Sequence, residues 1–274
     1  MVFLVIVILL TTAKPVFSEA PYWFQVAVNA DIGRVNVTGA RVQIMTHVPQ
    51  NPQAELTSYW VGLTLPNDAF IQVGYTSRKP CFQACSAAGG YPVRFMEYFP
   101  PNTASLGSGY GHSNIGDEVG PNGTWYTYSL QSNGNVWSTY VNGVFAGSAD
   151  LALSNSGGNH PSAVAEVPRA LTTDIILGPV EFRNFAYRDT NNEWHNVPSA
   201  TAHIGLGAGS GALLPGVNNP YGLQVLGAND WLAGSGLPQP VNNQPIWIES
   251  TAMPAFPYSD IWKIGKTTKI FLFE

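Results

Sequence analysis

The chain has 274 residues, enough for one large β domain or two modest ones. Charged residues make up only 11% of it, well below the usual quarter, and its 12 Lys and Arg sit in a net charge of −5, so it lacks the footprint of a nucleic-acid binder. With 28 Gly, 21 Pro, 12% aromatic residues and 45% hydrophobic content, it reads as an all-β extracellular domain, not a cytosolic helical enzyme or a disordered chain.

Residues 2 to 10 form an unbroken apolar run that is too short to span a bilayer and has the length of a signal-peptide core. The expected leader is 1–20, although no positive residues precede the run, and the expected location is secreted or cell surface. Two sequons, at Asn36 and Asn122, fit that location. Beyond the leader, two-residue alternation dominates. Val35 and Val37, then Val42, Ile44 and Thr46, read as strands on either side of Thr38-Gly39-Ala40. Trp60–Leu65 and Ala69–Tyr75 read as a hairpin turned at Pro66-Asn67-Asp68. Cys81 and Cys85 follow in a loop, and their spacing in an oxidising compartment predicts a disulfide. Val93–Phe99 reads as a strand, and the Gly-rich stretch from Ser105 to Pro121 as a loop. Strands Thr124–Leu130 and Val136–Val141 turn at Ser132-Asn133-Gly134, and Asn142-Gly143 marks a hairpin into Val144–Ala146. Ala163–Val167, Ile175–Leu177 and Val180–Tyr187 complete the set, with no amphipathic helix of three or more turns.

This spacing predicts an antiparallel two-sheet β-sandwich over 21–204. Residues 205–274 open on a Gly-rich stretch and hold scattered Trp, and read as a C-terminal extension packed on the sandwich or as a small β appendage. The apolar end, Ile270 to Phe273, reads as packing on the core, pairing with a neighbouring chain, or marking a truncated sequence.

The five His are scattered without ligand spacing, and no phosphate-binding loop or nucleophile elbow is present, so no cofactor or metal is called for. One strand stands out. In Ala69–Tyr75 the residues Ala69, Ile71, Val73 and Tyr75 face one way and Phe70, Gln72 and Gly74 the other. The second set is either a groove floor with an aromatic, an amide and a close approach at Gly74, or an ordinary half-exposed face. Carboxylates are scarce, so Glu97 among Phe95 and Phe99, and Glu166 beside Val164, are either groove acids or partners of Arg94, Arg169 or Arg183.

Three blocks then carry a family resemblance, from about 58 to 188. Trp60-Val61-Gly62-Leu63 with Phe70-Ile71-Gln72-Val73-Gly74, then Phe95-Met96-Glu97-Tyr98-Phe99-Pro100, then Ala165-Glu166 with Gly178-Pro179-Val180-Glu181-Phe182-Arg183-Asn184, resemble the motifs of the glutamic peptidases, or eqolisins. Val167-Pro168-Arg169 stands where that family has a Trp and a further acid. The resemblance implies a concanavalin A-like jelly roll and an acid-active endopeptidase acting on polypeptides. Gln72 and Glu166 would be its catalytic pair, and Trp60, Phe70 and Glu97 would line the cleft. Two alternatives share the scaffold. Trp125-Tyr126-Thr127-Tyr128 and Val136-Trp137-Ser138-Thr139-Tyr140 also resemble the laminin-G-like strand pair of surface modules that bind glycan or protein. A filament subunit would instead self-associate through its terminal strands.

Overall fold

The computed structural model describes residues 22–33, 36–48, 56–65, 69–76, 92–100, 111–151, 159–170, 177–208, 220–241 and 243–248. The expected leader, the Pro66-Asn67-Asp68 turn, Cys81 and Cys85 with their expected disulfide, and the apolar C-terminus lie outside these residues.

The described residues contain no helix and sixteen strands. In chain order these are β1 (Tyr22–Ala30), β2 (Gly39–Met45), β3 (Leu56–Thr64), β4 (Phe70–Thr76), β5 (Val93–Phe99), β6 (Gly111–Glu118), β7 (Trp125–Asn133) and β8 (Val136–Val141). Then follow β9 (Val144–Asp150), β10 (Asn159–Ala170), β11 (Val180–Arg188), β12 (Trp194–Asn196), β13 (Ser199–Ala208), β14 (Tyr221–Gly227), β15 (Asp230–Ser235) and β16 (Pro245–Ile248). One sheet runs β16-β13-β1-β10-β3-β4-β5-β6, and the other β14-β15-β11-β2-β7-β8-β9 with β12 paired to β11. This is the antiparallel two-sheet sandwich the alternation predicts.

Three readings change. The stretch taken as a Gly-rich loop contains β6, whose Gly111 pairs with Tyr98. A Cβ at Gly111 would sit 2.1 Å from the Tyr98 ring, so glycine here makes room for a neighbouring aromatic and is not a turn former. Gly39, read as part of a turn, opens β2 opposite Gln131 for the same reason, because a Cβ there would meet the Leu130 carbonyl oxygen at 2.6 Å. Leu177, expected at a strand end, lies outside any strand. Beyond 204, β13 continues to Ala208, and β14, β15 and β16 hydrogen-bond into the two sheets.

One face of each strand fills the space between the sheets, including Val26, Val28, Ile44, Val61, Ile71, Val73, Leu130 and Phe182. Two aromatic groups tie the sheets together. Tyr75 of β4 is fully buried, packed on Tyr59 and Tyr128 at ring distances of 5.0 and 6.2 Å. Its hydroxyl donates to the Met45 carbonyl (2.8 Å) and accepts from the His47 N–H (2.9 Å), crossing from one sheet to the other. Burial pushes its pKa well up, so it stays a neutral donor. In the C-terminal half, Trp231 of β15 stacks on Phe182 (5.4 Å) and on Trp247 of β16 (5.3 Å), while the Trp247 indole N–H donates to the Val197 carbonyl.

Tyr75→Phe keeps the ring packing but leaves the Met45 carbonyl and His47 amide without their partner. A loss of about 1–3 kcal/mol in urea unfolding is expected; an unchanged midpoint would remove the cross-sheet role assigned to this hydroxyl. His47, His160 and His203 all have pKa values lowered by burial from the ordinary 6.5. A base whose folded pKa is depressed binds fewer protons folded than unfolded, so its contribution is full above 6.5 and is lost as pH falls below it. The thermal midpoint is therefore expected to drop on acidification from about pH 6.5, and His47→Gln is expected to flatten that slope in a pH series.

Candidate functional site

The outer face of the first sheet carries the residues that the other half of the alternation leaves. These are Phe70, Gln72 and Gly74 on β4, Ser58, Trp60 and Gly62 on β3, and Ser162, Val164 and Glu166 on β10. They are joined by Gln25, Ala27 and Asn29 on β1, and by Phe95, Glu97 and Phe99 on β5. All five residues singled out in the sequence, Gln72, Glu166, Trp60, Glu97 and Phe70, thus lie on one face.

Strand register orders this face into three rows. The middle row is apolar, running Ala27, Val164, Trp60, Gly74, Phe95 across five strands. With Phe70 these side chains form a second hydrophobic cluster, separate from the core between the sheets. A polar row flanks it on each side. One runs Asn29, Ser162, Gly62, Gln72, Glu97, and the other Gln25, Glu166, Ser58, Thr76. The sequence reading missed Asn29, Ser162, Gln25, Ser58 and Thr76. Their signal was present, since each alternates with core residues, but isolated small polar residues on strands resemble ordinary solvent-facing ones.

Trp60 organises the face. Its backbone and Cβ crowd Gly74, where an added Cβ would lie 2.0 Å from the Tyr59 carbonyl oxygen and 2.7 Å from Trp60 Cα. The close approach that Gly74 permits is therefore that of the neighbouring strand β3. The far edge of the indole lies over Gly62 together with the Phe70 ring, which meets Trp60 edge-on at 5.5 Å. From this seat the indole N–H donates to Glu166 Oε2 at 2.8 Å. In the opposite polar row the Gln72 amide N–H donates to Glu97 Oε2. Gln72 is 6% exposed, whereas Glu97 and Glu166 are half-buried. Beside them the Ser162 hydroxyl donates to Asn29 Oδ1 at 2.7 Å. Arg94 turns to the Tyr126 ring (4.6 Å) and Arg183 lies over Trp125 on the second sheet (3.7 Å).

Gln72 and Glu166 face the same side but are not adjacent. Gln72 is opposite Gly62 and Glu166 is opposite Ser58, so β3 lies between them and they are four residues out of line. Ordinary strand spacing and rise make that a Cα separation of about 16 Å before sheet curvature. The Trp60 indole occupies the diagonal between them, and each of the pair is held by its own partner.

Among the described residues, Asp189, Glu193 and His195 bring ligand-type atoms within 4.8 Å of one another. The Asp189 oxygens are already engaged there. Oδ1 accepts the Asn191 and Glu193 amides, and Oδ2 lies 3.0 Å from His195 Nε2. These bonds, led by the Glu193 amide, lower the Asp189 pKa, and the cluster is accounted for as a turn lock.

No protein-family model matches the chain, and no curated protein sequence matches it. Solved structures similar to it include scytalido-glutamic peptidase with a transition-state analog inhibitor, at 11% identity and TM-score 0.46, covering 79% of this chain and 98% of that one. A glycoside hydrolase family 16 endo-glucanase from Bacteroides ovatus matches at 10% identity and TM-score 0.37, covering 54% of this chain and 67% of that one. A galectin from Caenorhabditis elegans matches at 17% identity and TM-score 0.29, covering 51% and 84%. At these identities the likeness is one of architecture.

Gly74→Ala would place a methyl group against the backbone of β3, which cannot rotate away as a side chain can. A cost of about 3 kcal/mol or more is expected, together with a shift in Trp fluorescence as the indole leaves its seat. Gly120→Ala meets only side-chain atoms and is the milder control.

Proposed function

We propose that the outer face of the first sheet binds an extended polypeptide and hydrolyses it, with Glu166 as general base and Gln72 as oxyanion donor, in a protein secreted to the cell exterior. The observation that carries this reading is the pair of anchored polar groups, Trp60 to Glu166 and Gln72 to Glu97, on either side of an apolar stripe. Half-buried Phe70, seated on the buried Trp60 and Phe95, offers an apolar contact for a substrate side chain, and half-buried Glu97, Ser162 and Glu166 in the two polar rows offer hydrogen bonds.

In the proposed reaction, ionised Glu166 takes a proton from a water whose oxygen adds to the peptide carbonyl carbon. The carbonyl oxygen becomes an oxyanion and accepts an N–H from Gln72. Glu166 then returns the proton to the leaving nitrogen as the C–N bond breaks, releasing an acid and an amine. At rest Glu97 holds the Gln72 amide in one orientation, and the Trp60 N–H holds the Glu166 carboxyl group in place. An amide donor does not titrate, so the arrangement suits acid conditions. Because their Cα atoms stand about 16 Å apart, both side chains have to leave these resting partners and reach inward over the Trp60 indole for one scissile bond to meet both.

The purified protein is expected to cleave an unfolded protein substrate at about pH 2–5, where a carboxylate of ordinary pKa can still act as base. Glu166→Gln is expected to abolish cleavage, and Gln72→Ala to lower kcat by about a hundredfold or more, with circular dichroism confirming that both remain folded. The register separation of Gln72 and Glu166 favours a second reading, a groove that holds a polypeptide without cutting it. Failure of the wild type to cleave anywhere in that range, with peptide binding retained, would replace the peptidase with this module.

A further inference from the structure

The opposite surface of the molecule, the outer face of the second sheet, carries a separate open groove of about 450 Å³ lined by Arg41, Thr127, Ser129, Gln131, Tyr140 and Trp194. The Asn142-Gly143 hairpin contributes the rest of its wall. Thr127, Ser129 and Gln131 are successive outward positions on β7, and Arg41 and Tyr140 flank Ser129 from β2 and β8. This size lies within the ~300–1,000 Å³ range of ligand sites.

Arginine partnership separates this groove from the rest of the face. Arg183 donates to Gln43 Oε1 at 2.9 Å and lies over Trp125. Arg188 donates to the Ser132 carbonyl at 3.3 Å. Arg41 lies over the Trp194 ring at 4.6 Å, and among the described residues no acceptor meets its five N–H donors. It is half-buried, and burial pulls its pKa down from the ordinary value without discharging it. A partly desolvated guanidinium held over an indole, with its donors unspent, is prepared for an anionic oxygen group.

The remaining walls narrow the ligand class. β2 and β7 are interior strands, each paired on both sides, so their backbone groups are spent and a peptide cannot add as a further strand. The groove offers one cation, too few for a polyphosphate backbone. It does offer hydroxyl and amide side chains at strand spacing beside two aromatic rings, which suits the alternating hydroxyls and apolar ring faces of a sugar. We infer that this groove binds an acidic saccharide, with its carboxylate or sulfate on Arg41, its hydroxyls on Thr127, Ser129, Gln131 and Asn142, and a ring face against Tyr140 or Trp194.

The inference is independent of the peptidase reading, since it uses the other sheet. Calorimetric titration of the full chain with trigalacturonate, with sulfated and neutral trisaccharides and with acetate tests it. Binding of trigalacturonate or the sulfated trisaccharide is expected, with the neutral sugar and acetate each at least tenfold weaker. Arg41→Gln should weaken acidic-sugar binding about tenfold or more, as loss of a charged hydrogen bond does, while Thr127→Ala has a smaller effect. Unchanged thermal midpoints in both variants establish that the loss is local, and Glu166→Gln should bind like wild type. No binding of either acidic sugar up to about 10 mM, or binding that Arg41→Gln leaves intact, would overturn the site. Equal binding of the neutral sugar would overturn the acidic assignment, and equal binding of acetate the saccharide one. If Arg41→Gln does not fold, Trp194→Ala serves in its place, with the same expected loss and the same contrary result.

Discussion

The close packing of β3 on β4 at Gly74 is the constraint from which the first sheet's outer face follows. Without a side chain at that position the Trp60 Cβ settles against the neighbouring strand, and the indole is laid along β3. Its length then spans from Gly62 at one end to the Glu166 carboxylate at the other. One glycine therefore decides where a large aromatic lies, and the aromatic decides which carboxylate receives a hydrogen bond. Phe70, Phe95 and Val164 close around the indole and keep it 7% exposed, so its N–H stays aimed at Glu166.

The same strand does two jobs because its side chains alternate. Tyr75 points inward and bolts β4 to the end of β2 through a hydroxyl that both donates and accepts. Gln72, three residues earlier, points outward to Glu97. A shift of β4 by one residue would exchange these faces, placing an amide in the core between the sheets and turning a tyrosine to the outer face. The rigid inner half thereby fixes the position of the outer polar groups. An acid setting strains this arrangement elsewhere. The chain has few carboxylates to discharge, but half-buried His47, His160 and His203, their pKa values lowered by burial, resist protonation.

Much of this was legible in the sequence, and the boundary has a physical cause. Alternation within a strand is local, so the shared face of Phe70, Gln72 and Gly74, and that of Val164 and Glu166, could be read directly. Register between strands is not local. That Gln72 meets Glu97 while Glu166 meets Trp60 depends on pairings of β4, β5, β3 and β10 that no single segment encodes. Glycine was the other source of error. Gly111 and Gly39 were read as turn signals, but they sit inside pairings where Tyr98 and the Leu130 carbonyl need their space. The groove around Arg41 was invisible for a related reason, since its walls come from β2, β7, β8 and β12, and only the fold brings Trp194 to Arg41.

The topology also sets when the face that holds Glu166 can exist. β1 pairs with β10 and β13, joining Val28 to Ala163 and Ala202, partners far along the chain. During synthesis the first strand must therefore wait, its edges unpaired, until most of the polypeptide has been made. Closing such long loops is entropically slow, and sandwiches dominated by distant pairings fold in about milliseconds to seconds. β10 lies between β1 and β3, so the strand bearing Glu166 is locked in the same late event that captures β1. A nascent chain has the Gln72–Glu97 half of the face early and the Trp60–Glu166 half only once β10 has been made. If the face is catalytic, the protein cannot cut other chains before it has finished folding itself.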